Sequence, residues 1–193
     1  MQVVKRNGAR EDVSFDKVLL RVKTQAEGLD VNPTLIAQRT LARIYDGVRT
    51  SELDELASQL AISLVTTHPD YGTLAARILI TNHHRNTNPS FSETMRQLAS
   101  QVHEKTGRNM NYLSENYMKY VDTFSAELDT YIKHERDMLL DYFGFMTLDR
   151  QKYLMRSISG KPLERPQYMW MRVALTLWGD YAMEQIEKGK TKE

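Results

Sequence analysis

The chain of 193 residues contains no cysteine. Disulfides and every thiolate zinc site are thereby excluded. An excess of charge of one sign is missing too: 26 Lys and Arg stand against 25 Asp and Glu, a formal net charge of +1. Nothing global points to a nucleic-acid backbone or an anionic membrane, and any such work falls to local clusters. No apolar run approaches the roughly 18 to 20 residues that cross a bilayer, and Met1 to Lys5 has no secretory apolar region, so a cytoplasmic protein is expected. There is no internal repeat, low-complexity tract, phosphate loop of the GxxxxGK type, Ser-His-Asp set or paired-acid constellation. His83 and His84 are adjacent, and neighbours on a helix point about 100° apart, so they do not share a metal ion and no metal site is assigned.

What is present begins with Met1 to Lys17. The hydrophobic share of 41% supports one large or two small domains with real cores. Val3-Val4 and Val13 flank Asn7-Gly8, a pair suited to a two-residue type I′ turn, which predicts that Gln2 to Arg6 pairs with Ala9 to Val13. Ser14 then caps a helix opening on Phe15-Asp16-Lys17, whose free amides carry partial positive charge. Lys5, Arg6, Arg10 and Lys17 crowd the same end, where a polyphosphate would meet several donors at once. Solvated basic residues around a tight hairpin are the plainer explanation of the same pattern.

Phe15, Val18, Leu19, Val22 and Ala26 recur at helical spacing before Gly28. Asn32-Pro33 opens a second helix through Ile36, Leu41 and Ile44. Thr50 or Ser51 begins a third, with Ser51 and Asp54 in capping-box spacing, and a fourth runs from Pro69-Asp70 to His83-His84-Arg85. Asn86-Thr87-Asn88-Pro89-Ser90 has the composition of a break, so the expected domains are 1–88 and 89–193. Beyond it, Phe91, Met95, Leu98 and Val102 predict another helix, a tyrosine-dense stretch suits packed helix junctions with a wet edge, and Ser159-Gly160-Lys161 turns a short hairpin. Pro166 opens a last helix with Met169, Val173, Leu177 and Trp178 on its apolar side, Gly179 as a possible bend, and a solvated, frayed end at EKGKTKE. The fold class is mainly α (α+β): an N-terminal β-hairpin with four helices, followed by a helical segment.

The order of residues adds a resemblance. The run VVKRNGAREDVSFDK at Val3 to Lys17, GVRTSELDELA at Gly47 to Ala57 and HPDYGTLAARI at His68 to Ile78 closely resemble the ATP-cone of class I ribonucleotide reductase large subunits. RDMLLDYFGFMTLDRQKYL at Arg136 to Leu154 and ERPQYMWMRVA at Glu164 to Ala174 resemble the opening of the catalytic chain of that enzyme. Position by position, the resemblance implies a site for ATP or dATP, with Mg2+, at Lys5, Arg6, Glu11, Asp12, Val13, Ser14, Phe15, Asp16, Lys17, Thr50, Asp54 and Arg85. Lys5, Lys17 and Arg85 would offset triphosphate charge, Thr50 would bond the base edge, and Asp54 would accept from a ribose hydroxyl that dATP lacks. A plain helix-capping acid at Asp54 and a dipole-complementing cation at Arg85 are the alternatives.

The resemblance further implies an allosteric effector-sensing portion of a ribonucleoside-diphosphate reductase, serving deoxyribonucleotide synthesis and DNA replication. Its partners would be further large-subunit sequence, on this or a second chain, the small radical-generating subunit, and like copies in a homo-oligomer, with no nucleic acid or membrane. Ribonucleotide reduction in that family uses a thiyl radical and a thiol pair. A chain without cysteine does not catalyse it alone, so no catalytic residue is assigned. In the family the chain would continue into a barrel, and a split gene, a truncation or an incomplete sequence would each account for the end at Glu193. Two rival readings are a stand-alone ATP-cone regulator of transcription, which would need a zinc ribbon or basic reading element, and a vestigial assembly piece that no longer binds nucleotide.

Overall fold

The computed structural model of the chain describes residues 1–190. Thr191 to Glu193 of the expected frayed end, and the side chain of Ile186, lie outside the described residues. The elements, in order, are β1 (Gln2–Val4), β2 (Arg10–Asp12), α1 (Phe15–Gln25), α2 (Pro33–Leu41), β3 (Val48–Arg49), α3 (Thr50–Ile62), α4 (Asp70–Asn86), α5 (Phe91–Ala99), α6 (Glu115–Thr123), α7 (Ser125–Tyr131), a 3-10 turn (His134–Leu139), α8 (Tyr142–Arg150) and α9 (Pro166–Lys190). The fold is thus mainly helical with a small sheet. The chain forms two compact units, one of Met1–Asn86 with Met138–Met146, the other of Thr87–Asp137 with the residues from Thr147 on.

In the first unit, β1 is the central strand, antiparallel to β2 and parallel to β3. The hairpin register differs from the expected one. Val3 pairs with Glu11 and Val4 with Arg10, so the loop holds three residues, Arg6-Asn7-Gly8, rather than two. Lys5 N donates to Ala9 O at 2.8 Å and Gly8 N to Lys5 O at 2.9 Å, with Gly8 at φ 84° and Asn7 not at positive φ. This is a type I turn followed by a left-handed glycine bulge. Asn7 accepts from Ala9 N at 3.1 Å through its side chain, the local bond that asparagine favours in turns. β3, which hydrophobic periodicity did not reveal because only two residues pair, brings Val48 against Val3 and Leu53 in a small apolar cluster.

Ser14 caps α1 by accepting from Lys17 N at 3.4 Å, and Asn32 caps α2 by accepting from Leu35 N at 3.1 Å. The capping box expected at Ser51 and Asp54 does not form. The N-cap of α3 is Arg49, with no side-chain cap, because the helix starts directly from β3. Val22 of α1 and Ala26 just after it, Ile36 of α2, Leu60 and Ala61 of α3 and Leu74, Ala75 and Ile78 of α4 share one core. Ser58 Oγ donates to Ala75 O at 2.6 Å inside it, tying α3 to α4.

The second unit packs α5, α6, α7 and α9 around Phe91, Met95, Leu98, Tyr117, Val121, Leu128 and Tyr168. Helix α5 ends at Ala99, and Val102, expected on it, bridges to Asn109 across a turn with Gly107 at φ 64°. The expected hairpin at Ser159-Gly160-Lys161 is present, with Arg156 bridged to Pro162. Helix α9 passes through Gly179 without a break, the Tyr120 ring lying where a Cβ would stand. Of its expected apolar side, Met169 is buried, whereas Val173, Leu177 and Trp178 are exposed.

Several buried polar groups of this unit are matched by side chains and backbone. Glu164 is fully buried and accepts two prongs from Arg172, at 2.6 Å and 3.0 Å, and a backbone bond from Met155 N at 2.8 Å. Arg165 donates to Thr87 Oγ1 and O and to His134 Nδ1, so His134 carries its proton on Nε2 and gives it to Pro89 O. Asp129 accepts from Ser92 N, Ser92 Oγ and Ser90 Oγ at the start of α5. Burial opposes its charge, yet these donors outweigh it and hold the carboxyl below the usual carboxylate range.

Arg172→Ala strands a buried carboxylate and lowers stability by about 3 to 5 kcal/mol in urea denaturation followed by circular dichroism. A depressed folded-state pKa at Asp129 means stability that is full above about pH 4 and is lost as pH falls through the folded value. The melting temperature of Asp129→Asn therefore falls less steeply than that of the parent over about pH 5 to 3.

Candidate functional site

A cleft of about 460 Å³ opens within the first unit, a volume in the range of small-ligand sites. Helix α1 supplies one wall because Ser14, Lys17, Val18, Arg21 and Gln25 recur at helical spacing and point the same way. The hairpin contributes Lys5, Arg6 and Glu11 to Val13, the start of α3 contributes Thr50, Leu53 and Asp54, and α4 contributes Ile78 and Arg85. The lining combines apolar groups, Val3, Val13, Val18, Leu53 and Ile78 among them, with the charged ones.

Asp54 is the charged centre, with 6% exposure. Arg21 Nε donates to its Oδ1 at 3.1 Å and Arg21 Nη2 to its Oδ2 at 3.4 Å. Arg6 Nη2 donates to Oδ2 at 3.4 Å, and Arg85 Nη1 stands 3.8 Å from the same oxygen. Three guanidinium charges against one carboxylate leave a formal excess of two. Two of the three cations are oriented from elsewhere: Arg21 Nη2 donates to Thr81 Oγ1 at 2.6 Å, while Arg6 reaches Asn82 and, at 2.8 Å, Asn86 Oδ1. Buried Asn82 in turn donates to Ser51 O at 3.1 Å. Burial, and then the neighbouring charges of Arg21 and Arg6, push the Arg85 guanidinium below its ordinary pKa against the pull of Asp54.

Nearer solvent, Glu11 forms ion pairs with both Lys5 and Lys17. The lysines are long and exposed, so these pairs are weak and exchangeable. The arrangement suits a polyanion: cations from the hairpin loop, α1 and α4 converge beside apolar lining groups.

Of the residues singled out by resemblance, Lys5, Arg6, Glu11, Asp12, Val13, Ser14, Lys17, Thr50, Asp54 and Arg85 line the cleft. Phe15 and Asp16 do not, because the two positions after the cap turn away from the face carrying Ser14 and Lys17. Lys5 and Arg6 lie past the end of β1, not on strand positions, as the three-residue loop requires. Asp54 is no helix-capping acid. Sequence reasoning missed Arg21, Thr81 and Asn82. Arg21 stands four residues after Lys17 and seven after Ser14, the spacing by which it was legible.

Comparison with known proteins gives the family. Residues 1–86 match the ATP cone domain family, and residues 138–190 match the family of the ribonucleotide reductase all-alpha domain. The chain is similar to the ribonucleoside-diphosphate reductase large subunit of Arabidopsis thaliana, with 43% identity over 93% of this chain and 22% of the relative. Similarity to the Schizosaccharomyces pombe large chain is 43% identity over 97% of this chain and 23% of the relative, and to the vaccinia virus large subunit 43% over 91% and 23%. The chain belongs to the large-subunit family of ribonucleotide reductase. It spans between a fifth and a quarter of the length of these relatives, and its first 86 residues are an ATP cone.

Among the described residues no helix is long and apolar enough to cross a membrane, and no group of His, Asp and Glu has the arrangement of a metal site. Asp54→Ala leaves the three arginines of the cone facing one another without their counter-charge. The expected outcome is a loss of about 3 kcal/mol in thermal unfolding, partly recovered by added sulfate, an anion small enough to enter the cleft.

Proposed function

We propose that the cone binds ATP and dATP in this cleft as competing allosteric effectors, and that the chain is the effector-sensing portion of a cytoplasmic ribonucleoside-diphosphate reductase large subunit. The observation that carries this reading is the cation excess around buried Asp54, continued by Lys5 and Lys17 where the cleft meets solvent. An incoming triphosphate draws Lys5 and Lys17 from Glu11 and adds Arg85, exchanging weak exposed pairs for charge-assisted bonds to phosphate, with Mg2+ offsetting the remaining anionic charge. The base lies along Val13, Val18 and Leu53, with Thr50 at its edge. The ribose comes to Asp54, whose carboxylate accepts from a 2′-hydroxyl in ATP and has no such partner in dATP.

The two nucleotides then favour different poses of the cone and hence different subunit contacts, which is the coupling that allosteric control requires. Partners are the remaining large-subunit sequence, the small radical-generating subunit and further copies of the large subunit. The reduction itself needs thiols that this chain does not carry, so its contribution to deoxyribonucleotide synthesis for DNA replication is control.

Calorimetric titration with ATP and then dATP, with magnesium present, tests the reading. Saturable binding of both is expected, weakened about tenfold by Lys17→Ala or Lys5→Ala, with Asp54→Asn bringing the two affinities together. A folded sample that takes up neither nucleotide sinks it and leaves an assembly piece without effector binding.

A further inference from the structure

We propose that Arg21 is the residue that positions Asp54 for nucleotide discrimination, by leaving one acceptor place open on its Oδ1 oxygen for a ribose hydroxyl. The proposal rests on the nucleotide-binding reading and adds to it the group that makes the carboxylate selective.

An ionised carboxylate has about four acceptor places, two on each oxygen. On Oδ2 of Asp54 both are filled, by Arg6 Nη2 and Arg21 Nη2. Oδ1 takes a single bond, from Arg21 Nε. Among the described residues no other donor reaches Oδ1, so the remaining place belongs to whatever enters the cleft that Asp54 lines. Which oxygen stays half-filled, and in which direction it faces, is set by the fork of Arg21. Two parallel bonds hold the carboxylate plane in the plane of the guanidinium, which one bond from Arg6 or the 3.8 Å approach of Arg85 does not do.

Arg21 is also the cation held best. Its side chain is 15% exposed, against 30% for Arg6 and 52% for Arg85. It rises from α1, donates to Asp54 on α3, and is braced by Thr81 on α4. Thr81 Oγ1 donates to Arg77 O at 2.6 Å and thereby keeps a lone pair aimed at Arg21. Arg21 is thus a positioning residue: it acts on the nucleotide through Asp54.

The test measures ATP and dATP dissociation constants by calorimetry for the full chain, for Arg21→Lys, Arg21→Gln and Thr81→Val, with thermal melting of each. In Arg21→Gln the ratio of the two constants moves toward one by about threefold or more, the scale of one hydrogen bond. Arg21→Lys separates positioning from charge. It restores the general affinity for both triphosphates and leaves the ratio shifted, because a single ammonium does not hold a carboxylate plane. A residue that served only as charge or as packing would leave the ratio where it stood. Thr81→Val, which keeps both Arg21 and Asp54, moves the ratio the same way to a smaller extent and serves if Arg21→Gln does not fold. An unchanged ratio in variants that fold and bind both nucleotides overturns the role of Arg21 and leaves nucleotide binding intact. A parent chain that binds neither nucleotide overturns both.

Discussion

One carboxylate organises the first unit. Asp54 is buried, and a buried acid is tolerated only when its charge is met, so the chain brings guanidinium groups to it from the hairpin loop, α1 and α4. The compensation overshoots. Three cations converge where one would neutralise, and Arg85 holds its proton less firmly than usual, through burial first and the charge of Arg21 second. Like charges held this close cost stability, and an anion placed among them would offset that cost. The same residues that hold α1, α3 and α4 together at one end are therefore the residues to which the proposed function assigns the nucleotide.

The hairpin serves this arrangement through its register. With a two-residue turn Arg6 would be a strand residue; with the glycine bulge at Gly8 it becomes the first residue of a three-residue loop. From there it reaches Asn82, Asn86 and Asp54. A one-residue slip reverses the face of every side chain on a strand, so the turn chemistry of Asn7-Gly8 has consequences far from the turn. Strand β3 completes the device: it fixes Val48 beside Val3 and starts α3 without a side-chain cap, leaving Asp54 free to face inward.

The second unit solves a different problem with the same physics. Its interior includes Glu164 and Arg165 alongside an apolar core, and the acid is met by Arg172 and the base by Thr87 and His134. Methionine and tyrosine fill the remaining space, as in the bond from Tyr117 to Met95 sulfur at 3.4 Å. Burial pushes the Tyr117 hydroxyl well above the usual tyrosine range, so it stays a neutral donor.

Much of this was legible in the sequence wherever a residue acts within a few positions of itself. Ser14 and Asn32 as caps, Pro33 and Pro166 as helix openers, the break at residues 86–90 and the four helices before it follow from local rules of backbone geometry and hydrophobic period. The order of the motifs identified the family. What tertiary structure alone decided involves residues far apart in the chain. The parallel pairing of β1 with β3, the inward turn of Asp54, the recruitment of Arg21 and Thr81, and the pairing of Glu164 with Arg172 depend on which helix faces which. Local propensity carries no information about a partner thirty or sixty residues away, and the charge balance of a cleft exists only once those partners have met.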